Sequence, residues 1–276
     1  MNVLISLHKG YGLGDGVQMS AVLRHVAKYR HNWVVDYQAE EGKHQVGRGI
    51  VARTFAYSQQ SPDARYDAEV LICLYDTWCN WTDRPNTRVS SCLHEVFDLP
   101  WDPECGRYRV DVSPSVARWA TDVVPPRSVA FHYQGDSDKA RKDLTDLEAM
   151  AVCECIRDMG RTPYILGRHI PKGYDAEVNC AIIAQCEAFV GIDSGPSKCA
   201  SATDTPALVV WTEHSPLPFH DPADNTTHLV PVEYSGCEPV VTDQKVKDWF
   251  ESHHRMRWYE HDPVPEIKAW LAEVLQ

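Results

Sequence analysis

One unit most constrains this chain: a buried apolar run, a loop and a helix-period segment. It occurs at the start and restarts after a pair of prolines. Residues 2–7, NVLISL, form a short apolar run of the kind that makes a strand covered on both faces. HKGYGLGDG follows, with glycines at 10, 12, 14 and 16. In VQMSAVLRHVAKYR, Val17, Ala21, Val22, Val26 and Ala27 recur at helical spacing. Trp33–Tyr37 and Glu69–Leu74 read as further strands, Arg48–Tyr57 fits helix or strand, and Val89–Phe97 has a helical pattern. Ser113–Thr121 is a short helix with Ser113 as cap and Pro114 at its first position. Pro125-Pro126 fits neither a helix nor a central strand. It divides the chain into 1–125 and 126–276.

The second half repeats the alternation. Ser128–Tyr133 is a strand, QGDSDKARKD a polar loop and Leu144–Met159 a helix. Thr162–Leu166 (strand), Asp175–Gln185 (helix) and Ala188–Ile192 (strand) follow. Then come DSGPS, a helix from about Lys198 to Ala202, and a strand over Thr205–Trp211. Pro265–Leu275 is a terminal helix with Ile267, Trp270, Leu271 and Val274 on one face. Alternating strands and helices imply α/β architecture: two Rossmann-like domains, each with a parallel sheet, facing a cleft. Ligands in such sheets bind beyond the carboxyl ends of the strands.

Composition narrows the class. The 276 residues carry 27 Lys and Arg against 39 Asp and Glu, a net charge of -12. So acidic a chain lacks the basic field that concentrates a protein on nucleic acid, although a local basic pocket is compatible with it. The N-terminus lacks the charged region of a signal peptide, and no apolar run approaches the ~20 residues that span a bilayer. A cytoplasmic location is expected. The ten cysteines include no C-x-x-C pair, so buried reduced thiols are expected rather than disulfides or zinc. His253-His254 and His261-Asp262 lack the spacing of metal ligands.

Three loops carry candidate chemistry. The glycines of GYGLGDG allow close approach to a ligand, but their spacing is neither a dinucleotide fingerprint nor a Walker loop. Asp15 there is either a helix-capping carboxylate, the commoner role for such a residue, or a general base at the cleft floor. Asp193-Ser194-Gly195-Pro196-Ser197-Lys198 lies between a buried strand and a small-residue helix. Backbone amides at that helix start, with Lys198, suit a diphosphate, while a plain capped turn is the alternative. Lys139, Arg141 and Lys142 cluster after the first strand of the second half, as a solvated face or a phosphate contact. His132, between Phe131 and Tyr133, reads as a hydrogen-bonded wall residue of the same cleft.

GLGDGVQMSAVLRHV resembles the opening of the heptosyltransferase-like glycosyltransferases, glycosyltransferase family 9. AFVGIDSGPSKCASATDTPALVVW resembles their second signature: a strand, D-[ST]-G-x-x-H, a helix of small residues, a turn and a strand. The resemblance covers most of the chain loosely and about 40 residues well. It implies a GT-B fold and inverting, metal-independent transfer of a sugar from a nucleotide diphosphate donor, with no cofactor. Asp15 matches the family's catalytic aspartate and Lys142 its phosphate-binding lysine. The donor set is Gly12, Gly14, His132, Arg141, Lys142, Gly167, Arg168, Asp193, Ser194, Gly195, Pro196, Ser197 and Lys198. Lys198 stands where the family has histidine. The base pocket is expected near Leu166–Arg168 and Glu177, and the terminal helix is expected to cross back toward the first domain.

Two rival functions differ in class. One is a non-catalytic nucleotide-sugar-binding protein that keeps the cradle. The other keeps the chemistry but glycosylates a modified DNA base, as some phage-encoded enzymes do, with Arg84, Arg88, Arg107 and Arg109 as a local DNA-binding strip. The acceptor is accordingly a glycan, a small molecule or a modified DNA base.

Overall fold

The structure is a computed structural model; it describes residues 1–59, 65–74, 88–135, 142–167, 175–211, 220, 223–229 and 262–276. Two parallel sheets form from residues on either side of Pro125-Pro126. The first has four strands, β1 (Asn2–Leu7), β2 (Val34–Ala39), β3 (Arg53–Ala56) and β4 (Ala68–Ile72), in the order β3-β2-β1-β4. The second has five: β5 (Ser128–His132), β6 (Thr162–Ile165), β7 (Ala188–Ile192), β8 (Ala207–Val210) and β9 (Thr226–Leu229). Their order is β6-β5-β7-β8-β9. β9 was not anticipated. Its TTHL pattern is polar and half-exposed because it is an edge strand.

The helices are α1 (Leu13–Tyr29), α2 (Arg88–Phe97), α3 (Pro103–Gly106), α4 (Pro114–Val123), α5 (Asp146–Asp158), α6 (Ala176–Ile183), α7 (Gly195–Ser201) and α8 (Val264–Val274). Between Arg48 and Tyr57, left open as helix or strand, the chain forms β3 after a 3-10 turn at His44–Gly47. No described helix is long and apolar enough to cross a membrane. Eight described cysteines are free thiols, most of them buried; Cys79 and Cys237 lie outside the described residues.

Both site-bearing helices begin earlier than periodicity implied. α1 opens at Leu13, inside the glycine segment, and α7 opens at Gly195 rather than Lys198. Apolar periodicity cannot register a first turn made of glycine, serine and proline. The two first turns abut. A Cβ on Gly14 would stand 3.5 Å from Gly195 Cα, and a Cβ on Gly195 would stand 2.6 Å from Leu13 Cβ. The first distance is ordinary contact; at Gly195 only hydrogen fits so close to Leu13.

Further out, polar pairs brace the two halves. Glu177 accepts from Arg48 Nη1 at 2.5 Å and from the Ser113 amide at 2.7 Å. Gln45 Nε2 donates to Asp175 at 3.2 Å, and the Ala176 amide donates to Gly42 O at 2.9 Å. The terminal helix does not follow the expected path toward the first sheet. Ile267, Leu271 and Leu275 are buried with Val129, Phe131 and Ile156 in the second core, and Leu275 O accepts from Arg161. Its apolar face matches the surface left open by α5.

Replacing Gly195 with Ala places a methyl where Leu13 already sits, so overpacking outweighs the better helix propensity of alanine. Gly195→Ala is expected to lower the unfolding free energy by about 1–2 kcal/mol, read from the urea midpoint.

Candidate functional site

The carboxyl end of β1 leads through residues 8–12 into α1, and that of β7 leads through Asp193 and Ser194 into α7. Parallel strands thus deliver both loops to the line where the helix starts meet. The first loop is held from below by Lys43, whose Nζ donates to Tyr11 O and to Glu40 Oε2, the latter at 2.6 Å. Glu40 in turn accepts from the Gly10 amide at 3.3 Å.

Asp15 is not the N-cap of α1. Gly12 is, and Asp15 occupies the third helical position. Its Oδ2 reaches back to the Gly12 amide at 3.0 Å, as a capping-box acid does. Its Oδ1 accepts from Arg88 Nη1 at 3.0 Å. Capping therefore uses one carboxylate oxygen, and the other faces a cation. Burial pushes the Asp15 pKa above its ordinary value, against the opposing pull of Arg88, Lys198 and the Gly12 amide.

Asp193 is the second anion. Its Oδ1 contacts Lys198 Nζ, and its Oδ2 lies 3.5 Å from Lys142 Nζ. Asp193 was expected to belong to the donor loop; here its single carboxylate is shared between the two lysines expected to meet phosphate. Lys198 is buried, which drives its pKa down, while Asp193 pulls it back up. Arg88, Lys142 and Lys198 thus outnumber Asp15 and Asp193 by one positive charge within the group. Arg88 had been read only as part of a surface strip, and nothing in its local sequence ties it to Asp15, 73 residues away.

Ser194 is the N-cap of α7. Its hydroxyl donates to Ile192 O at 3.2 Å, which leaves His132 Nδ1 as the donor in their 3.0 Å contact. His132 is a hydrogen-bonded wall residue kept neutral by burial, its pKa lowered to about 4. The first turn of α7 supplies the amides of Gly195 and Ser197, whereas Pro196 has none. The Ser197 hydroxyl is already engaged by Ser194 O at 2.7 Å. Gly14 packs on Gly195 and the Lys198 stem. Gly167 turns the chain after β6 with φ +89, a conformation natural to glycine. Lys139, Arg141 and Arg168 lie outside the described residues.

Two expected roles are corrected. Glu177 is committed to Arg48 and the Ser113 amide, so it braces the junction rather than lining a base pocket. Arg88 is not part of an exposed arginine strip, while Arg107 and Arg109 are exposed. Arg88 is 3% exposed and bound to Asp15, and Arg107 pairs with Asp204 at 2.7 Å; Arg84 lies outside the described residues. Two concavities, about 270 Å³ beside Arg24 and Arg109 and about 490 Å³ beside Val110 and Pro206, are lined by none of the charged group above. Among the described residues no three His, Cys, Asp or Glu side chains gather as a metal-ligand set.

This is the GT-B fold, and solved structures that share it with this chain include glycosyltransferases. No family model matches the sequence, and no curated protein does. The chain superposes on a glycosyl transferase family 9 protein from Veillonella parvula with a TM-score of 0.68, 9% identity, and coverage of 99% of this chain and 97% of that one. ADP-heptose LPS heptosyltransferase II of E. coli gives a TM-score of 0.64, 14% identity, and coverage of 91% and 98%. E. coli heptosyltransferase WaaC, solved with ADP, gives 0.56, 15%, and coverage of 91% and 99%. At such identities the likeness is one of fold.

The site carries a pH signature. Folded Asp15 holds its proton to higher pH than the ordinary carboxyl value of 3.8. Between that value and the raised one the native chain binds more protons than the unfolded chain, so stability declines as pH rises across the interval. Unfolding free energies of wild type and Asp15→Asn, compared by urea titration from pH 4 upward, are expected to converge at the acid end. They should separate, with wild type losing more, as pH rises. Parallel curves would remove Asp15 as the titrating group.

Proposed function

We propose that the protein is an inverting, metal-independent glycosyltransferase that moves a sugar from a nucleotide diphosphate donor to an acceptor hydroxyl. Residues 1–125 take the acceptor side and 126–276 the donor side. The observation that carries this reading is Asp15, paired with Arg88 on one helix start, facing Lys198 on the abutting one, where Asp193 also holds Lys142, in a fold shared with solved glycosyltransferases. The acceptor oxygen attacks the anomeric carbon and loses its proton to Asp15 as the new C–O bond forms. The bond from that carbon to the diphosphate breaks on the opposite side, so one displacement inverts the centre. Charge growing on the leaving diphosphate is met by Lys142, Lys198 and the amides of Gly195 and Ser197. Two lysines supply the countercharge that a divalent ion supplies in other transferases.

Arg88 suits the same chemistry. A carboxylate buried without a cation would stay protonated and could accept nothing; the guanidinium at 3.0 Å favours its ionised form. Asp193 gives up part of its lysine contact when a diphosphate enters, so donor binding exchanges one anion for another. The name of one structural counterpart includes ADP-heptose, which makes an ADP-sugar the first donor to try.

Asp15→Asn keeps the shape of the side chain and is expected to lower kcat by about 10²–10⁴-fold with donor affinity nearly intact. Turnover at the wild-type rate would refute the assignment. Lys142→Ala is expected instead to raise the donor Kd about tenfold or more, measured by calorimetry. An unchanged Kd would remove Lys142 from the diphosphate site.

A further inference from the structure

A second layer of side chains lies behind Lys198. Trp211 follows β8 and is fully buried, and Lys198 Nζ lies 5.3 Å from the centroid of its ring. The indole is held in place. Its Nε1 donates to His228 Nδ1 at 2.9 Å, the His228 and His220 rings meet edge-on at 4.9 Å, and His220 Nε2 lies 3.2 Å from Ser201 Oγ. On the first-domain side, Tyr108 packs on His220 with centroids 5.8 Å apart and accepts from Gln18 of α1. A histidine that accepts at Nδ1 is neutral. Burial, with Lys198 nearby, lowers the His228 pKa to about 4, so no second cation forms there.

We infer that Trp211 is a positioning residue whose indole face keeps Lys198 charged and aimed at the donor diphosphate, an inference that rests on the donor reading above. An ammonium taken out of water loses hydration, and its charged form is disfavoured. Asp193 compensates incompletely, because its carboxylate is divided between Lys198 and Lys142. Lys142 opposes the Lys198 charge, while Asp15, itself paired with Arg88, favours it from α1. Among the described residues the ring is a further neighbour, 5.3 Å from the ammonium. The negative face of an indole attracts a cation more strongly than any other aromatic side chain, most of all at a desolvated site. Where the resembled family carries histidine, this chain has a lysine whose charged form such a face favours.

The test follows Lys198 itself in the full chain. Its ε-methylene NMR signal, assigned by loss in Lys198→Arg, is titrated with pH. Trp211→Leu is expected to lower the midpoint by about one pH unit, and Trp211→Phe by less. Leucine at so large a buried site can unfold the protein. Mono-, di- and trifluorotryptophan at position 211 therefore provide a second series, keeping the ring's shape while draining charge from its face. The midpoint is expected to fall stepwise along it, and a midpoint unmoved in every variant overturns the inference. Calorimetry with ADP, GDP, UDP and CDP runs in parallel. One of these is expected to bind wild type and to weaken in the same order as the midpoint falls. Midpoints that move while wild type binds none of the four would overturn the donor reading and the purpose given to the charge. Intact binding with an unmoved midpoint would overturn the role of Trp211 alone.

Discussion

The contact between the first turns of α1 and α7 is the constraint on which the site depends. Each helix start carries partial positive charge from amides without intrahelical acceptors. Bringing two such ends together is unfavourable unless anions join them. Asp15 sits in the first turn of α1, and Asp193 stands just before the cap of α7. These two carboxylates make the approach tolerable, and the missing side chain of Gly195 makes it sterically possible. The same geometry concentrates cations, helix ends and a carboxylate in one partly dry place, which is what transfer of an anionic leaving group requires.

Such a cluster is a poor way to stabilise a fold. Buried ion pairs recover their desolvation cost only in part, and apolar side chains of similar volume are often as stable or more so. Arg88 and Asp15 are nonetheless buried together, and Lys198 is buried over an indole. The surrounding core has ample apolar material, from Val17 and Met19 on α1 to Cys199 and Ala200 on α7. Retained polarity in that setting fits a functional demand better than a structural one. Outside it, Glu177 braces the two halves through Arg48 and the Ser113 amide, while the exposed Arg107–Asp204 pair adds little.

Much of the architecture was legible in advance. The runs NVLISL, SVAFH and AFVGI became central parallel strands because continuous apolar segments of that length have nowhere else to go. Ser113-Pro114 opened α4 as its cap chemistry implied, whereas the capping box of Thr145 with Glu148 at the start of α5 emerged only from the structure. The terminal helix showed its apolar face but not its partner. Amphipathicity says that a face is buried, and only the open flank of the second sheet decided against what.

The sequence by itself determined the strand–helix alternation, the glycine positions and the residue types available at the two loops, because periodicity and turn chemistry act over a few neighbouring residues. Tertiary structure alone decided that Asp15 caps with one oxygen and meets Arg88 with the other, and that Asp193 holds two lysines. It also decided that Glu177 is a brace and that Trp211 lies beneath Lys198. Most of those pairs join residues far apart along the chain, and even the near ones depend on packing at the meeting of two helix starts. No local pattern encodes such a meeting; it exists only once both sheets have formed and Gly195 lets the helices touch.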